Sequence, residues 1–235
     1  MAGWSRPSSP LFLILFAGVL VVMSVIAAER GVSDVLGYLL QTHLDAWAEE
    51  AEAPAIEQWE TANSFYSNAL KLTPSDPALL QQGGQLYEWK AVIMADDDRT
   101  AAAAMRQALQ YYERSLHLRP SWPYAWTDYA TARARAGHFD DSFQHAFSRA
   151  LELGPWEEQV QLGISRLGLS AWSRLSRENR RSLMLNMRKF AARQWRQLVK
   201  MAEQTATLPI VCYGIRNNVQ LEKACRHQGV LRSDT

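Results

Sequence analysis

From Leu11 to Ala28 the chain runs for 18 residues without a charged side chain, LFLILFAGVLVVMSVIAA. Beyond it the apolar positions recur at steps of three and four, the spacing that lines one face of a helix. Val35, Leu36, Leu39, Leu40, Leu44 and Trp47 predict an amphipathic helix, ended by Glu49-Glu50-Ala51-Glu52 and Pro54. Trp59, Ala62, Phe65, Tyr66, Ala69 and Leu70 predict the next, closed by Pro74 and Pro77. Leu79 through Trp89 predicts a third, and Asp96-Asp97-Asp98 interrupts before an Ala-rich helix over 99–118. Two more fill 123–155, one is expected from Trp156 to Leu175, and a long one from Arg177 to Ala206, where Pro209 intervenes. The pattern is all-α.

One phrase closes three of these segments: Ala69-Leu70-x-Leu72-x-Pro74, Ser115-Leu116-x-Leu118-x-Pro120 and Ala150-Leu151-x-Leu153-x-Pro155. The prolines stand 46 and 35 residues apart, and the shorter interval is about the 34-residue period of the tetratricopeptide (TPR) hairpin. Trp126, Tyr129 and Ala130, then Gly137 and Phe139, then Ala146 and Ala150 fall where such a repeat places its large, small and turn residues. Small residues matter because helix backbones approach closely only where the side chain is short. The expected architecture is a short TPR-like helical-hairpin solenoid behind a single N-terminal transmembrane helix. Residues 1–30 form the anchor or signal peptide, 31–206 the helical domain and 207–235 a C-terminal cap. Stacked hairpins of this type present concave binding surfaces.

The leading apolar run meets the lower length limit for a bilayer span and exceeds the roughly 7–15 residues of a signal-peptide core, though Ile26-Ala27-Ala28 is a passable cleavage context. In both readings Arg6 precedes the run, while Glu29, Arg30 and Asp34 nearly cancel after it, so the body is expected outside the cytoplasm. The only cysteines, Cys212 and Cys225, are then expected to form a disulfide; two buried thiols are the alternative.

The net charge of +1 hides a division. Residues 31–110 hold 12 acids against 4 bases, and 111–235 hold 19 bases against 11 acids. Arg174, Arg177, Arg180, Arg181, Arg188, Arg193 and Arg196 concentrate the positive charge into a candidate basic patch, suited to an anionic polysaccharide, lipid or protein. Nucleic acid is not expected outside the cytoplasm. Chemistry is scarce. Five scattered histidines lack metal-ligand spacing, and no phosphate loop or nucleophile elbow occurs, so neither a cofactor, a metal nor an enzymatic activity is expected. Glu88 and Asp128 are the only acids worth testing as a catalytic pair. Tyr87, Trp89, Tyr124 and Arg133, with Arg135 beside it, are the candidate groove residues, since aromatics and arginine are frequent binding anchors.

Gln85-Leu86-Tyr87-Glu88-Trp89-Lys90-Ala91, Leu118-Arg119-Pro120-Ser121-Trp122-Pro123-Tyr124-Ala125-Trp126 and Leu153-Gly154-Pro155-Trp156-Glu157 resemble the VpsP-type proteins of bacterial exopolysaccharide clusters. The resemblance covers about residues 55–205. It implies a non-enzymatic accessory role in making or exporting an extracellular polysaccharide, with protein components of that machine as partners. The chain would be anchored once in the inner membrane with its body in the periplasm. A direct polysaccharide-binding module using the groove aromatics is the alternative.

Overall fold

A computed structural model describes residues 10–50, 52–216 and 218–231. Arg6, whose charge precedes the apolar run, lies outside the described residues. The described residues fold into ten α-helices and one 3₁₀ turn. They are α1 (Pro10–Glu50), α2 (Ile56–Leu72), α3 (Pro77–Ile93), α4 (Asp98–Leu118), α5 (Pro123–Arg135), α6 (Asp141–Leu153), α7 (Glu158–Ser170), α8 (Arg177–Gln204), α9 (Leu208–Gly214) and α10 (Val219–His227). Successive helices pair as hairpins: α1 with α2, α3 with α4, α5 with α6 and α7 with α8. The first members, α1, α3, α5 and α7, also touch one another in that order, so they line one side of a four-hairpin TPR-like solenoid.

The thrice-repeated phrase ends α2, α4 and α6 in one way. The N–H groups of Thr73, Arg119 and Gly154 donate to the carbonyls of Ala69, Ser115 and Ala150, and each proline follows just after. Ala69, Ser115 and Ala150 are all buried, because the neighbouring helix passes over them. Helix starts are equally local. Asp76, Asp97 and Asp140 accept the first backbone N–H groups of α3, α4 and α6, which satisfies donors that have no partner within the helix. At Asp97 the Thr100 hydroxyl and these N–H groups hold the carboxyl below its usual range. The 46-residue interval arises because α3 and α4 have 17 and 21 residues where α5 and α6 have 13 each. The second hairpin simply extends further, and Asp96-Asp97-Asp98 turns it at the far end.

A glycine pair lets α3 cross both α2 and α4 at close range. A Cβ on Gly83 would run into the ring and hydroxyl of Tyr66, and one on Gly84 into the ring of Tyr112. Both tyrosines are almost wholly buried.

The first helix differs from the expected division at residue 30. It continues unbroken for 41 residues, about 60 Å at 1.5 Å per residue. Its leading part has an 18-residue window of mean hydropathy 2.5, none of it buried, so it is long and apolar enough to cross a membrane. Its second part is the first member of the first hairpin, with Ser33, Leu40, Leu44 and Trp47 buried against α2 and α3. Glu29-Arg30 changes the composition without breaking the helix.

The expected 156–175 helix is shorter, α7 followed by a 3₁₀ turn at Trp172–Arg174. The last long helix, α8, kinks at Gln194. The tail packs back onto α8 as α9 and α10. Cys212 and Cys225 are bonded, with Cα atoms 5.8 Å apart, and both are buried with Val211, Ile215 and Leu221 in the main core. Asn218 Nδ2 donates to the Ala191 carbonyl, fastening this cap to α8.

Candidate functional site

A cavity of about 440 Å³ lies on the side lined by the first helices, between α1, α3 and α5. On α3, Gln81, Gln85, Glu88 and Val92 recur at four, three and four residues, which puts them on one stripe. On α5, Tyr124, Asp128, Thr131 and Arg135 do the same. The two stripes face each other, and α1 adds Gln41, Leu44 and Asp45. Leu44, Trp89 and Val92 form the apolar part of the wall.

The polar floor is tied together across three helices. Glu88 is buried, accepts the Tyr112 hydroxyl at 2.6 Å and pairs with Arg135 at 2.5 Å. Both oxygens of Glu88 are therefore engaged, and its charge raises the pKa of Arg135 further. Asp128 receives Gln81 Nε2 at 2.7 Å and Gln85 Nε2 at 3.0 Å, both on Oδ2. Burial nevertheless pushes its carboxyl up to about 6, and the nearby Glu88 charge adds to the rise. The cavity holds three carboxylates, Asp45, Glu88 and Asp128, against one cation, and that cation is already spent on Glu88. Amide donors alone do not neutralise a charge, so Asp128 is a carboxylate short of a cation.

The structure separates the four candidate groove residues. Trp89 lines the cavity and meets Trp47 of α1 edge to face at 6.0 Å. Tyr124 sits one turn before Asp128 on the same stripe, with its hydroxyl donating to Glu157 at 2.9 Å, which raises its pKa. Tyr87 and Arg133 point elsewhere. At 100° per residue, Tyr87 is about 160° around α3 from Gln85, and it packs on Trp59 and Tyr111. Arg133 is likewise turned away from Asp128, bonded to the Tyr129 hydroxyl and paired with Asp140 at the α5–α6 turn. Gln81, Gln85 and Tyr112 were not foreseen from the sequence. The signal for the glutamines was there, in polar residues at helical spacing through an otherwise apolar α3.

The basic residues do not gather into one face. Arg174 lies over Phe139, and Arg180 donates to the carbonyls of Trp172 and Ser173. Arg177 and Arg181 are exposed, and Arg188 donates to the Gly214 carbonyl. Arg193 reaches Gln161 and, with Lys189, stands over the exposed Trp156, while Arg196 lies over Trp195. At 100° per residue Arg177, Arg181 and Arg188 share one side of α8 within about 40°, and Arg180 and Arg193 lie to either side of it. Among the described residues no cluster of three or more His, Cys, Asp or Glu is placed to hold a metal ion.

The fold and groove define a helical-hairpin repeat protein of TPR-like form, a class that typically serves as a scaffold, led by a helix long and apolar enough to span a membrane. No protein-family model and no curated protein matches the chain. Among solved structures it is similar to a human IFIT1 dimer with PPP-AAAA, at 15% identity and a TM-score of 0.46, over 83% of this chain and 47% of that one. The chain thus spans about half the length of that neighbour.

Proposed function

We propose that the protein is a membrane-tethered scaffold whose groove holds a segment of a protein partner by seating a basic side chain on Asp128. The half-buried carboxylate on the groove floor, without a cation of its own, carries this reading. A lysine or arginine entering the cavity would supply the missing charge, and Leu44, Trp89 and Val92 would cover its aliphatic stem. The acidic excess of residues 31–110 attracts such a segment from a distance.

The body stands in the periplasm, tethered to the inner membrane through α1; the Cys212–Cys225 bond fits an oxidising compartment. The VpsP-like segments at 85–91, 118–126 and 153–157 favour a non-enzymatic place in a machine that makes or exports an extracellular polysaccharide, and the bases of α7 and α8 offer it an anionic contact, to glycan or lipid.

The test is affinity purification of the full chain from native membranes, comparing wild type with Asp128→Asn. A co-purifying protein that falls at least tenfold in the variant is the expected result. Equal recovery from both refutes the cation seat. Retention of polysaccharide alone, lost in Trp89→Ala, replaces the protein partner with a glycan.

A further inference from the structure

The second part of α1 carries two apolar stripes. One, Ser33, Gly37, Leu40, Leu44 and Trp47, packs on α2 and α3. The other faces away from the body. Val21, Val25, Ala28, Val32, Val35, Leu39, Thr42 and Ala46 follow one another at alternating steps of four and three, and all are exposed. Val32 is 53% exposed, Val35 60% and Leu39 37%. Within the span an apolar surface needs no explanation, because lipid covers it. Beyond Ala28 it does. At 1.5 Å per residue Leu39 stands about 16 Å past Ala28 along the helix, out of reach of the hydrocarbon.

No charged residue occupies this stripe from Val21 to Ala46, although Glu29, Arg30, Asp34 and Asp45 lie on other faces of the same helix. The Thr42 hydroxyl donates to the Leu39 carbonyl at 2.7 Å and the Ser24 hydroxyl to that of Leu20 at 2.8 Å, so neither needs an outside partner when covered. A repeat of four and three over more than three heptads is the spacing of a coiled-coil seam.

We propose that α1 is also a dimer interface: two copies of this chain pair in parallel through the outward stripe, from inside the membrane to Ala46. The occupant is a second copy because a single-pass anchor presents every copy in one orientation and at one depth. The same seam therefore meets itself in register, as a two-fold interface requires. Glu49, next on the stripe, ends the seam with like charges.

The full chain in native membranes tests this by cysteine scanning, since Cys212 and Cys225 are already bonded to each other. Under mild oxidation Val32→Cys, Val35→Cys and Leu39→Cys are expected to give a disulfide dimer at least tenfold more than Asp34→Cys or Gln41→Cys. The monomer mass reports whether α1 is retained. Val35→Glu is expected to leave the thermal transition of the body in place and to abolish dimer in lipid nanodiscs. A flat cross-linking profile, a cleaved α1, a disulfide only to a different protein, or a wild-type monomer in nanodiscs each overturns the pairing. None of these outcomes touches Asp128, so the groove reading stands or falls separately.

Discussion

Asp128 shows how one buried carboxyl lowers the stability of the fold that holds it. Its carboxyl titrates at about 6 in the folded chain because burial disfavours the charged form, whereas an unfolded chain releases the same proton near 4. Between these values the folded state holds more protons, so this residue's contribution to stability falls as pH rises from about 4 to 6. Above 6 the full penalty is present. Asp128→Asn keeps an acceptor for Gln81 and Gln85 while removing the charge. It is expected to raise unfolding free energy by about 1–2 kcal/mol at pH 7 and by nearly nothing at pH 4, in denaturant titrations at the two values. Lower stability of the variant at pH 7 would mean that the charge is already compensated. Ala206 is a second costly residue. It ends α8 with φ of 53°, a left-handed conformation in a residue with a Cβ, and it is exposed. Ala206→Gly is expected to stabilise the fold by about 1 kcal/mol, visible as a higher melting temperature.

At the scale of the element, the second hairpin depends on closeness more than on helix propensity. Gly84 in the middle of α3 costs about 1 kcal/mol relative to alanine by propensity alone. Contact decides the opposite sign here: the added Cβ would lie 2.5 Å from the Tyr112 ring, which is fully buried and tied to Glu88. Gly84→Ala is expected to destabilise by about 1–3 kcal/mol in chemical denaturation, with the loss of Tyr112 protection in hydrogen exchange of α4. Hairpin order was legible in the sequence because each phrase ending in Pro74, Pro120 or Pro155 combines a small close-contact residue with a helix stop. The phase of side chains around a helix was less so. Tyr87 and Trp89 are two residues apart, and only the packing of Trp59 and Tyr111 reveals that one faces the core and the other the cavity. The unbroken α1 was hidden for a different reason: composition changes at Glu29, but no residue there opposes a helix.

For the whole molecule, the continuity of α1 matters more than any local contact. The leading part of α1, long and apolar enough to span a membrane, and the first groove helix are one rod, so the azimuth of the solenoid is set by the face of α1 that packs on α2 and α3. Each residue inserted between Arg30 and Gly31 turns the body by about 100° relative to the span. Two inserted residues separate the membrane part of the outward stripe from Val32, Val35 and Leu39, while seven restore the heptad phase. The body's melting transition is expected to be unchanged in both insertions, because the buried stripe from Ser33 to Trp47 moves with the body. Cross-linking through Leu39→Cys is expected to fall sharply with two residues and to persist with seven. Equal cross-linking in the two would show that the body pairs without help from the span, and that α1 acts as a tether only.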